Sequence, residues 1–159
     1  MAKPKNKNND NVLANNKKAR HDYNVLETHE VGIRLRGTEV KSCRNSQVSL
    51  VDAYAQIDDG EIKLYQAHIS PYEYGNIFNH DPQSVRVLLM HKSEILKLSI
   101  KTREPGYTLI PLKFYLKKGL VKVLIGLCTG KNEFDKRHTM RQKQDNMDAK
   151  RAMKDFNAR

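Results

Sequence analysis

The sequence has little of several features that would indicate common classes of protein. Among its 159 residues there is no tryptophan, and there are only two cysteines, Cys43 and Cys128. Two cysteines form neither the disulfide framework of a small secreted domain nor a four-ligand zinc site. No run approaches the roughly 18 apolar residues of a membrane-spanning helix, and the polar residues 1–18 lack the apolar segment of a secretory signal. We therefore expect a reduced, soluble, cytoplasmic protein with one domain and no membrane partner.

Motifs of the common enzyme classes are also missing. The sequence has no Gly-x-Ser-x-Gly elbow, no glycine-rich phosphate loop and no Cys-x-x-Cys. Two His-Asp pairs, His21-Asp22 and His80-Asp81, suggest metal ligands and leave open a metal-dependent nuclease. A metal site needs three or four converging ligands, however, and the second pair precedes a proline, which is typical of a turn. We expect no enzymatic activity, no metal and no cofactor.

Acidic residues are too few to balance the basic ones. The chain has 18 Asp and Glu against 29 Lys and Arg, a net charge of +11. The excess lies at the ends, since residues 1–20 hold six basic and one acidic side chain and residues 131–159 hold nine and five. Such an excess favours a polyanionic partner, most commonly nucleic acid. Residues 1–15 have little apolar surface and predict a disordered basic arm, with a solubilising tail as the alternative.

Alternating apolar residues between positions 16 and 130 predict a mostly β domain. Strands are expected to end near Leu35, to lie on either side of an Asp58-Asp59-Gly60 turn, and to form a second hairpin over 107–116 and 120–129. Helical spacing predicts short helices from Thr38, over 84–91 and over 93–103. Five or six antiparallel strands in a chain of this length predict a small closed barrel of the OB type, with short helices.

Residues 131–159 have a different character. Met140 and Met147 lie seven residues apart, as do Ala149 and Phe156, which gives a charged helix a thin apolar stripe. The stripe is too narrow to hold the segment against the domain. We therefore expect a basic tail that is disordered when free and becomes helical on a polyanionic surface.

The segment Asn16–Tyr23 (NKKARHDY) joins the predicted arm to the first strand. It combines an amide, three cations, an imidazole and an aromatic ring: Asn16, Lys17, Lys18, Arg20, His21 and Tyr23. The cations are suited to RNA phosphates, and the two rings could stack on unpaired bases. The alternative is a solvated charged run that leads into a strand, with Tyr23 in the core. This alternative fits these residues nearly as well as an RNA-binding segment does.

Seven short motifs follow one another along the chain in an order and spacing typical of one family. They are NKKARHDY at 16–23, GTEVKS at 37–42, Asp52–Tyr54, HISPY at 68–72, NHDP at 79–82, Pro111–Lys113, and Asp135-Lys136-Arg137. In these motifs the chain resembles the SsrA-binding protein family, also called small protein B, the partner of transfer-messenger RNA. Each motif is weak alone, but seven in register are highly specific.

The resemblance implies an OB-type barrel that binds the tRNA-like domain of transfer-messenger RNA. It also implies a complex that enters stalled ribosomes for trans-translation, in which the ribosome is rescued and the peptide is tagged for degradation. The protein itself would do no chemistry and would be monomeric when free. A structural ribosomal or ribosome-assembly protein with an OB barrel is the alternative.

The resemblance also implies roles for particular residues of the barrel. The family's RNA contacts correspond here to four residues: Asn16, Glu30, Leu89 and His91. Lys17, Lys18 and Arg20 are expected beside them. A carboxylate at position 30 could accept from a base amino group or a 2′-hydroxyl, whereas Leu89 is also consistent with the core of a helix. Ser84 and Val87 stand where relatives commonly have basic residues, which predicts a smaller electrostatic contribution from that helix.

The tail of the family occupies the decoding site and the message channel of the small ribosomal subunit. Its residues correspond here to Gly130, Asp135, Lys136 and Arg137, followed by the basic segment to the end of the chain. Phe134 precedes this run where the family usually has Tyr or His, which keeps stacking but removes a hydrogen-bonding tip.

Overall fold

The computed structural model describes residues 11–75, 79–131 and 133–158, apart from the side chains of 133–135. These ranges contain nine strands and four helices. The strands are β1 (Val12–Asn15), β2 (Tyr23–Ile33), β3 (Val48–Ser49), β4 (Tyr54–Asp58), β5 (Glu61–Tyr65), β6 (His68–Ile69), β7 (Arg86–Leu89), β8 (Tyr107–Lys117) and β9 (Leu120–Gly130). The helices are α1 (Lys17–Asp22), α2 (Gly37–Arg44), α3 (Lys92–Thr102) and α4 (Glu133–Asn157). No helix in these ranges is both long and apolar enough to cross a membrane.

Six of the strands form a closed circuit. Their order is β8-β4-β5-β7-β2-β9, and β9 pairs again with β8. Every registered pair in this circuit is antiparallel. Strand β1 is added on the free part of the β8 edge, and β3 pairs with β6 in a separate two-stranded sheet. The prediction of a mostly β, antiparallel barrel of the OB type is confirmed, with these two additions to a plain barrel.

The core fills the inside of this circuit. Alternate residues of the long β8–β9 hairpin face inward, and Phe114, Val123 and Ile125 are fully buried. A bulge between Pro111 and Lys113 interrupts the alternation of β8. Because of it, Leu112 faces outward and forms a second, smaller apolar cluster on the outer side of the barrel with Ala19, Ile110 and Cys128.

A buried ion pair ties α2 to β7. Nε of Arg86 donates to Glu39 at 2.9 Å, and both residues are only 3% exposed. The remaining guanidinium nitrogens donate to backbone carbonyls of Ala67 at 2.7 Å and Pro82 at 3.1 Å. The second carboxylate oxygen of Glu39 accepts from the backbone N–H of Arg36 at 2.9 Å. Arg36 is the residue that precedes α2, so this hydrogen bond caps the start of the helix. The pair is therefore fully hydrogen-bonded, which a buried charge requires.

The predictions for helix α3 and for the first hairpin are confirmed, and the prediction for residues 84–91 is wrong. Helix α3 was predicted over 93–103 and lies at Lys92–Thr102, and the hairpin at Asp58-Asp59-Gly60 joins β4 to β5. The helix predicted over 84–91 is instead strand β7, paired with β2 and β5. Arg86 and Leu88 are buried while Leu89 is exposed. This period of two is typical of a strand. A pattern based on hydrophobic residues did not indicate the strand, because one of its two buried residues is an arginine.

Strand β1 lies before the N-terminal boundary predicted for the domain. The arm predicted over 1–15 is wrong for its last residues, because β1 pairs with β8 and Leu13 and Ala14 pack against the core. Residues 1–10 lie outside the described part of the chain. The segment 131–159, predicted to be disordered when free and helical on a polyanionic surface, contains helix α4 in a unit of its own, Gly130–Arg159. The disorder of the free segment stays a prediction. Helix α4 is rich in lysine, arginine, glutamine and methionine, which are strong helix formers.

Glu39→Gln should strongly destabilise the β domain, because it leaves Arg86 charged and buried without a counter-ion. We expect the free energy of unfolding to fall by about 3–5 kcal/mol in urea denaturation followed by circular dichroism. The control is Asp52→Asn, which breaks the exposed Lys18–Asp52 pair of 2.9 Å and should leave the midpoint nearly unchanged. Equal losses in the two variants would contradict a special role for the buried pair.

Candidate RNA interface

Asn16 fixes the position of helix α1. Its Oδ1 accepts from the backbone N–H of Ala19 at 3.1 Å, which caps the helix. Its Nδ2 donates to the carbonyls of Leu50 at 3.2 Å and Pro111 at 2.9 Å. The residue is 6% exposed, so both amide donors are used inside the protein. Asn16, predicted to contact RNA, is therefore a buried residue that positions the residues after it.

Helix α1 holds its cations away from the barrel. Ala19 is buried against the outer apolar cluster, whereas Lys17, Lys18 and Arg20 are exposed. One small residue on the inner side thus anchors a helix whose other side is basic. The segment predicted as a charged run before the first strand is a helix packed on the outside of β8 and β9.

The two rings of the NKKARHDY segment have different environments. Nδ1 of His21 lies 3.0 Å from Oδ1 of Asp22, and the histidine side chain is nearly half exposed. Tyr23 is half-buried and packs against the outer apolar cluster. Packing, the alternative left open for Tyr23, therefore explains why its ring is half-buried. The His21 side chain is more exposed to solvent.

Glu30 lies on the outer face of β2 and is bound by two neighbours. Its carboxylate accepts from the hydroxyl of Tyr115 and, at 3.0 Å, from Nζ of Lys117. The hydrogen bond from Tyr115, followed by that from Lys117, holds the pKa of Glu30 below its usual range. Burial, with Glu30 as the second cause, raises the pKa of Tyr115. Glu30 is therefore a charged acceptor at neutral pH, with both oxygens already engaged.

Leu89 continues this outer face at the end of β7, and His91 follows two residues later. Leu89 pairs with Gly32 of β2 and is 50% exposed, so it is not in the core of a helix. A Cβ at Gly32 would come within 3.2 Å of the Leu89 Cβ, which explains why glycine suits this position. Beside them is a groove of about 320 Å³ lined by Leu89, Leu120, Arg44 and Lys122 among others. His91 is exposed and begins α3.

One surface therefore carries most of the predicted barrel residues. Glu30 and Gly32 are two residues apart on β2, so both face outward, and Leu89 covers Gly32. Strand β9, which pairs with β2, also pairs with β8, where α1 packs. We call this surface the outer face of β2, β9 and β8. It brings together Lys17, Lys18, Arg20, Glu30 and Leu89, with Asn16 buried beneath α1.

The tail residues lie at the start of the second unit. Gly130 ends β9, and Lys136 and Arg137 lie in the first turns of α4. Phe134 and Asp135 are in the same helix, but their side chains lie outside the described residues. Among the described side chains of α4, the large apolar ones are exposed: Met140, Met147, Met153 and Phe156. Helix α4 thus presents exposed apolar side chains together with exposed basic ones such as Arg137 and Arg141.

The His-Asp pairs do not form a metal site. His80 is 4% exposed, and its Nε2 lies 2.9 Å from the carbonyl of Ile69. Since a carbonyl only accepts, Nε2 carries the proton, and Nδ1 accepts from the Thr38 hydroxyl at 2.9 Å. Among the residues that the structure describes, no three His, Cys, Asp or Glu side chains could hold a metal ion. Cys128 is buried as predicted, and burial raises its pKa to about 11.

Comparison with known proteins places the chain in a family. A family model described as SmpB protein matches residues 13–155. The chain belongs to this family.

Its relatives resemble it over nearly the whole length. The SsrA-binding protein of Ligilactobacillus salivarius (strain UCC118) is 52% identical over 98% of this chain and 99% of its own length. That of Streptococcus mutans serotype c (strain ATCC 700610 / UA159) is 53% identical over 94% of this chain and 96% of its own. A chain of a solved structure described as "tmRNA-SmpB: a journey to the center of the bacterial ribosome" has a TM-score of 0.65 and 47% identity, and the match covers 76% of this chain and 85% of that chain.

The prediction from sequence missed the residues that surround Glu30. Lys113, Tyr115 and Lys117 alternate along β8 with buried Phe114, and this period of two could have indicated an outward row. The contact itself joins residues 85 positions apart. The closure of the barrel through β9 brings these residues together. The spacing of residues in an SmpB sequence does not predict such a contact.

Tyr115→Phe should raise the pKa of Glu30, because it removes the hydrogen bond that lowers this pKa most. We expect an upward shift in an NMR titration of the Glu30 carboxyl. Tyr65→Phe, on strand β5, is the control and should cause no shift. In the wild type, the stabilisation from ionised Glu30 is present at neutral pH and is lost as the pH falls through the lowered pKa. An unchanged pKa in Tyr115→Phe would contradict the contact.

Proposed function

We propose that this protein binds the tRNA-like domain of transfer-messenger RNA and delivers it to stalled ribosomes for trans-translation. Membership of the SmpB family carries this proposal, because the family model spans residues 13–155 and the relatives named SsrA-binding protein match over at least 91% of this chain. The description of the similar solved chain names tmRNA, SmpB and the bacterial ribosome. It therefore supports both transfer-messenger RNA and the ribosome as partners. The net charge of +11 suits a partner made of RNA.

The outer face of β2, β9 and β8 would bind the folded RNA. Exposed Lys17, Lys18 and Arg20 would contact phosphates, which fixes the position of the RNA without reading its sequence. Leu89 and His91 would contact an unpaired base or a sugar at the edge of the groove. Asn16 would act indirectly, since it holds α1 and thereby directs these cations outward.

The second unit would enter the ribosome. Lys136 and Arg137 would lie at the decoding site of the small subunit, and the rest of α4 would follow the empty message channel. The exposed basic and apolar side chains of α4 support this role, because rRNA offers both phosphates and base faces. Phe134, at the start of α4, could stack on a base there.

The protein would act by binding alone. Its part is to position RNA, while the ribosome forms the peptide bonds, so we propose no catalytic group, metal or cofactor. The protein would act in the cytoplasm, where ribosomes translate.

A band-shift titration of the full chain against the tRNA-like domain tests the proposal. At physiological salt we expect a Kd at least about tenfold lower for this RNA than for an rRNA fragment of the same length. An excess of unlabelled tRNA serves as the competitor. Equal affinity for all these RNAs would contradict the proposal and favour a structural ribosomal protein.

Truncation after Gly130 should separate the two activities. We expect the Kd for the tRNA-like domain to change by less than about threefold, because the cations proposed to contact its phosphates all lie before Gly130. Tagging in a reconstituted translation reaction stalled on a message without a stop codon should be lost. Equal loss of both activities would show that the tail belongs to the surface that binds transfer-messenger RNA.

A further inference from the structure

A cleft opens where two strands of the barrel stop pairing. Ala55 of β4 and Leu109 of β8 are the one registered pair that joins these strands in the described part of the chain. The next residues along, Gln56 and Thr108, are not registered partners there, and both line a cleft of about 580 Å³. This volume is within the range of roughly 300–1,000 Å³ that is typical of ligand sites.

The walls of the cleft come from the two strands and from the end of α3. Tyr54 lines it on β4, and the helix contributes Ser99, Thr102 and, directly after its last residue, Arg103. The Tyr54 ring is stacked on the ring of Tyr65, with ring centres 5.3 Å apart and an angle of 11° between the planes. One wall therefore holds an aromatic ring whose orientation is fixed by a neighbour, and the opposite wall is polar.

Two polar side chains at the cleft are not engaged elsewhere in the protein. Among the residues that the structure describes, neither the Gln56 amide nor the Arg103 guanidinium has a hydrogen-bond or ion-pair partner. Both residues are exposed. An amide can both donate and accept, and a guanidinium has several N–H donors. Asp59 in the turn between β4 and β5 also lines the cleft, so a carboxylate acceptor is present as well.

These groups match the chemistry of an unpaired nucleotide. An aromatic ring can stack on a base, an amide can bind the edge of a base, and a guanidinium can bind a phosphate. A base within a duplex has both faces stacked and its pairing edge occupied. Only a nucleotide outside a duplex can therefore use all three groups at once.

We propose that the cleft between β4, β8 and α3 binds one unpaired nucleotide of RNA. Tyr54 contacts its base, Gln56 binds the edge of the base, and Arg103 binds its phosphate. The tRNA-like domain and the rRNA of the small ribosomal subunit are the two sources of such a nucleotide. The inference deepens the proposed function, on which it rests for the identity of the RNA.

An NMR titration of the isotope-labelled full chain with a single-stranded oligoadenylate tests the site. We expect the backbone amide signals of Gln56, Arg103 and Thr108 to shift. A duplex RNA of the same length is the control and should leave these signals in place. Unchanged signals with the single strand would overturn the site, and equal shifts with the duplex would overturn the requirement for an unpaired nucleotide.

Two variants measure what the individual side chains contribute. Gln56→Ala and Arg103→Met should each raise the Kd for the oligoadenylate about three- to tenfold. Arg103→Met should also reduce the slope of log K against log salt by about 0.7, the value for one phosphate contact on a single strand.

The matched controls carry the same side chains outside the cleft. Lys97→Met removes an exposed cation from the same helix, and Gln47→Ala removes an exposed amide, and neither residue lines the cleft. Both controls should leave the Kd nearly unchanged, and urea denaturation of each variant checks that the fold is intact. A Kd that is as unchanged in Gln56→Ala and Arg103→Met as in the controls would overturn the roles of these residues.

The same variants identify the source of the nucleotide. If rRNA supplies it, Gln56→Ala should weaken binding to isolated small subunits and leave the Kd for the tRNA-like domain unchanged. If transfer-messenger RNA supplies it, the opposite pattern is expected. Unchanged affinity for both RNAs would overturn the use of the cleft by this protein.

The two proposals can fail separately. Binding of the tRNA-like domain no better than any other RNA would contradict the proposed function. The shifts that the oligoadenylate causes at the cleft would still decide whether the cleft binds an unpaired nucleotide.

Discussion

The buried ion pair between Arg86 and Glu39 is the constraint on which the rest of the β domain depends. A buried arginine is stable only if its charge and its donors are satisfied, and here one carboxylate and several carbonyls satisfy them. The pair fixes β7 against α2. Strand β7 in turn pairs with β2, where it places Leu89 over Gly32. The outer surface that would bind RNA is thus positioned by a contact on the inside of the molecule.

Much of the fold could be predicted from the sequence, because its signals are local. The hairpin at Asp58-Asp59-Gly60, helix α3 and the long β8–β9 hairpin follow from periodicity and turn residues. Strand β7 could not be recognised in this way, since the buried residue that begins it is Arg86. Strand β1 is short, and it is stabilised by contacts remote in sequence: its pairing with β8 and the packing of Leu13 and Ala14 against the core.

The candidate site was predictable in its charges but not in its contacts. The basic segment of α1 and the carboxylate of Glu30 could be identified by type and by resemblance. That Asn16 is buried depends on carbonyls of Leu50 and Pro111, which are 34 and 95 residues away in the chain. The neighbours of Glu30 are equally remote in sequence. Such contacts are a property of the closed barrel, so no pattern within one segment reveals them.

The bulge in β8 has a consequence for how this protein can vary. One extra residue, Leu112, gives the strand two consecutive outward positions, so that α1 has an apolar surface to pack on while Lys113 still faces outward. A further inserted residue would exchange inside for outside along everything that follows, burying lysines and exposing Phe114. The pattern of inward and outward side chains along this strand therefore depends on its length.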